Sequence, residues 1–351
     1  MRTKNSPQNP LSGVDNLSWD TRTFCPSQED IKKICSFFSI GKLQNYEKEK
    51  NVLISHSSFF VYAATSQGKY ALKFYPLDAS KRITLEYAFN RLLTHHHFQT
   101  PLMRSSKNGR AFLNCSGFLV TCYAYINGQP AWRHIQKPDA FTKINAAMLS
   151  LKDILSDSKK NIPCLKNDRL SPTIKALAQK SLSLVREDQK KMINTLLLKA
   201  LRAYQEHESL FIRQRLHNNA SFTNFLIQNK TVYTIDLSHI CEDYYLSDLA
   251  SMVISCLFFE TPKTTIKAII NDYLIQHKKT TLPPWKTHKD SEHFIVLNTL
   301  VQVGLIKEYL KNAKRKQTVK LSTRPSKIER DYMTQLARRK KLILEYLSTF
   351  A

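Results

Sequence analysis

The stretch at residues 215–236, RLHNNASFTNFLIQNKTVYTID, decides how this sequence is interpreted. Its second half holds two short runs rich in β-branched and aromatic residues, with Lys230 at the turn between them, and it therefore predicts a β-hairpin. Asn224 begins the first strand and Asp236 ends the second, so the two side chains converge at one edge of the hairpin. Amide and carboxylate oxygens suit a hard cation, and we expect Asn224 and Asp236 to hold Mg²⁺.

Two different kinds of sequence surround this hairpin. Before residue 128, strand-like runs lie on both sides of a helical segment at 80–94, and the turn signal SQGK joins two of the runs into a predicted hairpin. After Gly128, helical patterns dominate at 138–156, at 173–208 and from 246 to the end. The sequence therefore predicts an α+β fold with a small β-containing N-lobe and a larger, mostly helical C-lobe.

The same patterns suggest how the chain is divided. Residues 1–26 contain three prolines and no apolar run of the kind found in an export signal, so we expect a disordered or loosely packed arm. We assign 27–127 to the N-lobe and 128–351 to the C-lobe, with a catalytic hairpin at 215–240 and basic helices at the end. No apolar run approaches the roughly 20 residues of a membrane helix, which predicts a soluble protein.

Composition points to anionic partners. The 351 residues include 53 Lys and Arg against 28 Asp and Glu, a net charge of +25, which favours nucleic acid, phospholipid head groups or phosphorylated small molecules. Thirteen of these basic residues lie within 307–341, beside three acids. This region is either a solvated helical face or a surface that docks on nucleic acid or another anionic surface. Aromatic residues are sparse there, so no platform for stacking bases is indicated.

The cysteines and histidines indicate no structural metal site. The seven cysteines include no CxxC pair, which counts against a zinc ribbon and a thioredoxin-type site. Without an export signal, they predict reduced, mostly buried thiols in a cytoplasmic protein. The triplet 95–97 consists of histidines without nearby cysteine or carboxylate partners, and we interpret it as a solvated helix end rather than a metal site.

Two further residues complete a constellation for phosphate chemistry. Lys73 ends the strand KYALKFY, and Glu86 lies thirteen residues later in the next helix. A phosphotransferase needs a lysine that holds the α- and β-phosphates, an acid that orients it, and an Asn and an Asp that hold Mg²⁺. We therefore predict that Lys73 and Glu86 form an ion pair in a cleft facing Asp236, and that the cofactors are ATP and Mg²⁺. The alternatives are a solvated lysine at a strand end and an exposed acid on a helix.

The spacing of these residues resembles that of a known superfamily. The order His217, Asn219, Asn224, then Ile235-Asp236, then DLA at 248–250 is similar to the H-x-D-x(4)-N, I-D and D-L-A pattern of aminoglycoside phosphotransferase-like kinases. This superfamily includes choline kinases, type II homoserine kinases, fructosamine kinases and spore-coat kinase-like proteins. The stretch SSFFVYAATSQGKYALKFYPLDASKRITLEYAFNRLL also looks like the N-lobe of its homoserine kinase and spore-coat branches. The resemblance covers about residues 40–258 and implies a bilobal protein-kinase-like fold that transfers phosphate from ATP to a small-molecule hydroxyl.

The loop that should carry catalysis departs from the family pattern. The family sequence is His-Gly-Asp, whereas this chain has His217, Asn218 and Asn219. Asn219 occupies the position of the family's catalytic base, and an amide accepts a hydrogen bond but takes no proton near neutral pH. We therefore expect weak transfer, with a pseudokinase or a spore-coat-like scaffold as the alternative. Asn218 is a smaller change, since Asn adopts left-handed backbone more readily than most residues.

Other roles follow from the same resemblance. His217 is expected to brace the loop, and Asp248 to act as an N-cap or loop brace for the helix DLASMVISCLF. Gly128 marks the expected hinge between lobes, and adenine is expected to meet backbone groups of Tyr123, Ala124 and Tyr125.

The acceptor is expected to be a hydroxylated small molecule. A polycationic aminoglycoside is disfavoured because the net charge of +25 opposes its approach. Local acids such as Glu242 and Asp243 could reverse that repulsion.

Overall fold

The computed structural model describes residues 25–48, 58–134, 137–157, 162–278 and 289–318, with a few positions between 334 and 346. Contacts divide the chain into two compact units. The first contains the described residues up to Tyr87 together with Pro101–Tyr125, and the second contains Ala88–Thr100 and the chain from Ile126 onward. The first unit is built on an antiparallel sheet and the second is mostly helical, which confirms the predicted α+β, two-lobed fold class.

Six strands form the sheet of the first unit: β1 (Leu43–Lys48), β2 (Phe59–Thr65), β3 (Gly68–Tyr75), β4 (Met103–Arg104), β5 (Leu113–Cys115) and β6 (Phe118–Ala124). Two helices accompany it, α1 (Gln28–Phe37) and α2 (Ser80–His95). The strand order is β1-β2-β3-β6-β4, with β5 paired to β6. The predicted SQGK hairpin is confirmed, because Thr65 pairs with Gly68 across a turn formed by Ser66 and Gln67. Gly68, the first residue after the turn, has a φ of 126°.

The alternation of β3 places its side chains on two buried faces of the sheet. On one face, Leu72 and Phe74 belong to an apolar cluster that includes residues of α1. On the other face, Tyr75 packs with Ile83 of α2. Lys73, two residues before Tyr75, therefore lies on the face that α2 covers, and it is only 4% exposed.

The second unit contains six described helices: α3 (Pro138–Asp157), α4 (Leu170–Leu184), α5 (Glu187–Glu206), α6 (Ser247–Phe258), α7 (Lys263–Lys278) and α8 (Asp290–Thr318). The pattern at 173–208 predicted one long helix, and the structure has two there. The break falls at Val185, whose backbone is extended, with φ −120° and ψ 144°. Val185 is 8% exposed and packs in the apolar core, so burial of this side chain takes the place of a glycine or proline signal.

Two small sheets also belong to the second unit. One contains β7 (Gln129–Pro130), β10 (Phe225–Gln228) and β11 (Thr231–Thr234), and the other contains β8 (Leu165–Lys166), β9 (Arg213–Leu216) and β12 (Cys241–Tyr244). The hairpin predicted from FLIQN and TVYTIDL is confirmed as β10 and β11. Its turn has positive φ at Asn229 (49°) and Lys230 (67°), the backbone that two-residue hairpin turns favour.

Several further predictions can be compared with the described residues. All seven cysteines are free and five of them are buried, which confirms the prediction of unpaired, mostly buried thiols. The three histidines at 95–97 are exposed where α2 ends. None of the described helices is long and apolar enough to cross a membrane. Residues 1–24 of the predicted arm and 319–333 of the basic region lie outside the described residues.

Candidate functional site

The loop after β9 is held by a buried carboxylate. Asp248, in the first turn of α6, accepts a hydrogen bond from the backbone N–H of His217 (3.0 Å) and another from that of Asn218 (2.7 Å). Burial raises the pKa of Asp248 above its ordinary value, while the charge of His217 and the two N–H groups act in the opposite direction. Of the two roles expected for Asp248, the N-cap is not formed, because Leu246 occupies that position, and the loop brace is observed, because Asp248 binds a loop thirty residues earlier.

The side chain of His217 ties this loop to the hairpin. Its Nε2 lies 2.9 Å from the carbonyl oxygen of Ile235, and because a carbonyl only accepts, Nε2 carries the hydrogen. His217 is fully buried, and its Nδ1 has no hydrogen-bond partner among the described residues. A ring in this environment positions the backbone immediately before Asp236 and offers no exposed nitrogen to a reacting group.

The backbone of the loop keeps the shape that a glycine would allow. Asn218 has a φ of 59°, in the left-handed region that asparagine tolerates better than most residues. Asn218 therefore has a backbone conformation that a glycine at this position could also adopt.

Asn219 and Asn224 are joined through the backbone. The carbonyl oxygen of Asn219 accepts the N–H of Ser221 at 2.7 Å and the Nδ2 of Asn224 at 2.8 Å. The amide of Asn224 thus uses its Nδ2 within the loop, while its Oδ1 accepts no hydrogen bond from the described residues. The side-chain amide of Asn219 is half-buried and forms no hydrogen bond to any described residue.

Asp236 lies at the same end of the hairpin as Asn224. The N–H of Ile235 donates to the carbonyl oxygen of Asn224 at 2.9 Å, which brings the residue before Asp236 against Asn224. Asp236 itself has left-handed backbone, with φ 60° and ψ 54°. Its Oδ1 accepts the hydroxyl of Ser238 at 2.8 Å, and its Oδ2 lies 3.7 Å from Nε2 of His239. The structure therefore brings together the two residues that the sequence proposed as cation ligands.

The donor set fits Mg²⁺ that is shared with phosphate. An amide oxygen and a carboxylate are ligands that hard cations prefer, and Mg²⁺ in nucleotide sites is commonly held by one or two protein groups, phosphates and water. No group of three or more His, Cys, Asp or Glu side chains converges as a metal site anywhere in the described ranges. Asn224 and Asp236 would supply two ligands, and phosphates and water would supply the others.

A second cluster of polar groups lies in the first unit. Glu86 is 2% exposed and accepts two tyrosine hydroxyls, Tyr75 at Oε2 (2.7 Å) and Tyr123 at Oε1 (2.8 Å). The Nζ of Lys73 lies 4.7 Å from the centre of the Tyr75 ring and 5.6 Å from that of Phe60. This burial excludes a solvated lysine and an exposed helix acid. The ion pair between Lys73 and Glu86 stays a prediction.

Sequence reasoning missed Tyr75. The available signal was its position two residues after Lys73 in a strand, which places both side chains on one face of the sheet.

The three residues expected near adenine end β6. The N–H of Ala124 donates to the carbonyl oxygen of Leu102 (2.9 Å), and that of Tyr125 donates to Lys69 (3.2 Å). The side chain of Tyr123 points inward to Glu86. Because these two N–H donors are used within the sheet, a base at this stretch would meet other backbone groups, and the adenine contact stays a prediction.

Comparison by sequence finds no matching protein-family model and no matching curated protein. Solved structures, in contrast, match over nearly the whole chain. The amicoumacin kinase hAmiN, solved in complex with AMP-PNP, Ca²⁺ and Ami, is 13% identical, with 93% of this chain and 96% of that chain covered and a TM-score of 0.68. An aminoglycoside phosphotransferase from Alicyclobacillus acidocaldarius is 13% identical, with 94% and 97% covered and a TM-score of 0.58. A choline kinase from Cryptosporidium parvum is 12% identical, with 92% and 97% covered and a TM-score of 0.58.

These matches show that the chain has the fold of the aminoglycoside phosphotransferase-like kinases, as the pattern from His217 to Asp248 implied. At such low identity the likeness concerns the fold, and an activity has to be argued from the residues of this chain.

Proposed function

We propose that this protein binds MgATP and transfers phosphate to a small-molecule hydroxyl, at a rate limited by the amide at Asn219. The observation that carries this proposal is the arrangement of the loop and hairpin. Asp248 and His217 fix the loop, and Asn224 and Asp236 meet at one end of the hairpin. Such an arrangement is expected where backbone and carboxylate groups must be positioned around phosphates and a cation.

Each polar group has one assigned role. Lys73 holds the α- and β-phosphates and Glu86 orients it, while Asn224 and Asp236 hold Mg²⁺. When bound, the cation neutralises negative charge on the phosphates. His217 and Asp248 contact no substrate in this assignment and act by positioning the loop. The cytoplasmic location inferred from the free thiols belongs to the same proposal.

The chemistry at Asn219 determines how fast transfer can be. Phosphoryl transfer passes through a loose transition state, so positioning and electrostatics matter more than activation of the nucleophile. The carbonyl oxygen of the Asn219 amide can still orient an acceptor hydroxyl. It cannot take up the proton, however, and loss of general-base catalysis worth ~10²–10⁴ corresponds to about 3–5 kcal/mol in the barrier. We therefore assign weak transfer.

The second candidate is a pseudokinase or scaffold that keeps the fold, with or without nucleotide binding, but does not transfer phosphate. The observation that favours it is again Asn219, because the loop is well formed while its acid is absent. Turnover of ATP with a panel of hydroxylated small molecules separates the two candidates, since only the enzyme shows acceptor-dependent release of ADP.

The acids that could attract a polycationic acceptor are engaged elsewhere. Glu242 lies 3.7 Å from Nε of Arg213 and 3.9 Å from Nζ of Lys166, and Asp243 accepts Nδ2 of Asn167 at 2.6 Å. These contacts brace the sheet that contains β8, β9 and β12. Together with the net charge of +25, they support an acceptor that is neutral or anionic. Docking of the basic C-terminal region on nucleic acid or another anionic surface stays a prediction.

The test is the effect of MgATP on thermal unfolding. We expect wild-type protein to melt a few degrees higher with saturating MgATP, since a ligand at a hundred times its Kd stabilises the folded state by about 2.7 kcal/mol. Asp236→Asn should abolish this shift, because the phosphates lose a charged bridge. Asparagine is chosen because it tolerates the left-handed backbone of Asp236, which alanine does not.

The matched control is Asp139→Asn, which removes the same charge from an exposed residue of the same unit. We expect this control to keep the full MgATP shift. An unchanged shift in Asp236→Asn would show that the cation is held elsewhere or is not used.

A further inference from the structure

The two oxygens of the Glu86 carboxylate are already occupied in the first unit. Tyr75 donates to Oε2 at 2.7 Å and Tyr123 donates to Oε1 at 2.8 Å. The two hydroxyl oxygens lie 3.4 Å apart, so they close around the carboxylate from neighbouring strands. All three side chains are buried. Because the two hydroxyls already stabilise its negative charge, this carboxylate interacts less strongly with the ammonium of Lys73 than a carboxylate without hydrogen bonds would.

Tyr75 also contacts Lys73 directly. Its ring centre lies 4.7 Å from Nζ of Lys73, within the distance at which a cation is attracted to an aromatic face. Phe60, opposite Lys73 on β2, contributes a second ring at 5.6 Å. One residue therefore supports the lysine with its ring and holds the glutamate with its hydroxyl.

Burial keeps the hydroxyl of Tyr123 in the donating form. Burial raises the pKa of Tyr123 well above its ordinary value, and the charge of Glu86 raises it further. A phenol that keeps its proton over the whole working range donates a hydrogen bond to the carboxylate at every pH at which the protein is folded.

We propose that Tyr75 and Tyr123 are positioning residues that hold the carboxylate of Glu86 so that the ammonium of Lys73 remains available to the phosphates of a nucleotide. This inference rests on the proposed function. If a hydroxyl is removed, the buried carboxylate of Glu86 attracts the ammonium of Lys73 more strongly. The phosphates of a nucleotide then bind Lys73 less tightly. Glu86 then competes with the phosphates for Lys73 instead of orienting it for them.

The experiment measures the Kd of MgATP by titration calorimetry for the wild type and for Tyr75→Phe. This variant keeps the ring and removes only the hydroxyl. We expect its MgATP affinity to be roughly three- to ten-fold weaker, the range of a single hydrogen bond. Tyr123→Phe should weaken binding in the same way and serves as the second variant if Tyr75→Phe does not fold. Tyr70→Phe is the matched control, since Tyr70 lies on the same strand but on the face that packs with α1, and we expect it to bind as wild type does.

A double-mutant cycle separates positioning from plain stabilisation of the fold. In a Glu86→Gln background there is no carboxylate charge to compete for Lys73, so Tyr75→Phe should then change the MgATP affinity by less than two-fold. A purely structural role would lower the melting temperature without this dependence on Glu86.

The outcomes distinguish the inference from the function on which it rests. If wild-type protein binds MgATP and Tyr75→Phe and Tyr123→Phe bind it equally well, the inference is overturned and the proposed function stands. The inference is also overturned if Tyr75→Phe causes the same loss of MgATP affinity in the wild-type background and in the Glu86→Gln background. If wild-type protein does not bind MgATP, both fail together.

Discussion

Each unit of this protein buries a carboxylate that accepts two hydrogen bonds, but the donors differ. Asp248 of the second unit accepts two backbone N–H groups, whereas Glu86 of the first unit accepts two tyrosine hydroxyls. A backbone N–H can only donate, while a hydroxyl can also rotate and accept. The two hydrogen bonds to Asp248 therefore do not depend on which side chains the loop carries, whereas the cluster at Glu86 depends on the side chains that surround it.

This difference explains how the loop tolerates Asn218 and Asn219. Asp248 and the side chain of Asn224 bond to backbone groups of the loop, the N–H of Asn218 and the carbonyl oxygen of Asn219, so these contacts do not use the side chains of Asn218 and Asn219. The contacts that shape the loop are therefore separate from the chemistry of the side chain at Asn219.

The largest predicted effect comes from paired isosteric substitutions of the two carboxylates. In Asp248→Asn, an NH₂ group faces a backbone N–H that cannot reverse its role, so we expect the free energy of unfolding to fall by about 2–4 kcal/mol. In Glu86→Gln, one tyrosine hydroxyl can rotate to accept, and we expect a loss of about 1 kcal/mol. Urea denaturation measures both values. Equal losses of unfolding free energy in Asp248→Asn and Glu86→Gln would show that backbone N–H donors and tyrosine hydroxyls respond alike to loss of the carboxylate charge.

A second difference concerns buried lysines. Lys73 lies against aromatic rings, whereas Nζ of Lys152 in α3 lies 2.5 Å from Nε2 of His277. Burial lowers the pKa of Lys152 to about 7, although the charges of Asp153 and Asp248 oppose the shift. Burial, and to a smaller extent the charge of Lys152, lowers the pKa of His277 to about 3.

The unfolded chain therefore binds more protons than the folded protein at Lys152 between pH 7 and its ordinary pKa of 10.5. The sign follows from linkage: the free energy of unfolding rises with pH across this window, by at most about 1.4 kcal/mol per pH unit. The contribution of Lys152 is isolated by comparison with Lys152→Met, because burial raises the pKa of six cysteines in both proteins and this lowers their stability as pH rises towards 9. Urea denaturation should show that the difference in free energy of unfolding between wild type and Lys152→Met increases from pH 7 to pH 9. A difference that stays constant or falls would contradict the assignment.

A smaller effect is expected at Asn219. Asn219→Asp restores the acid of the family pattern on an unchanged backbone, so acceptor-dependent ATP turnover should rise by about ten-fold or more. The melting temperature should change little, since the Asn219 amide bonds to no described residue. Wild-type turnover at ordinary kinase rates of ~1–100 per second would refute the impaired enzyme.

The smallest effect concerns the backbone of Asn218. Its φ of 59° costs glycine nothing, so Asn218→Gly should change the free energy of unfolding by less than about 1 kcal/mol, as relief of strain offsets the greater freedom of the unfolded chain. A loss well above that value, measured by urea denaturation, would mean that the Asn218 side chain holds the loop.

Local patterns were sufficient for some of the elements and for part of the site. The hairpin of β10 and β11 could be predicted because strand-forming runs flank a turn, and the same hairpin set Asn224 beside Asp236. The break at Val185 could not, since it arises from burial of one side chain in the tertiary core. The hydrogen bonds of Asp248 to its loop and of the two tyrosines to Glu86 join segments that are distant in the sequence, so no local residue spacing predicts them.

The central claim is that Asn224 and Asp236 hold a divalent cation together with nucleotide phosphates. The most direct measurement is the relaxation of water protons by Mn²⁺ bound to AMP-PNP, which is enhanced when the complex is immobilised on a protein. We predict a clear enhancement with wild-type protein and with Asp139→Asn, and none with Asp236→Asn at the same concentrations. An equal enhancement in Asp236→Asn would contradict the claim.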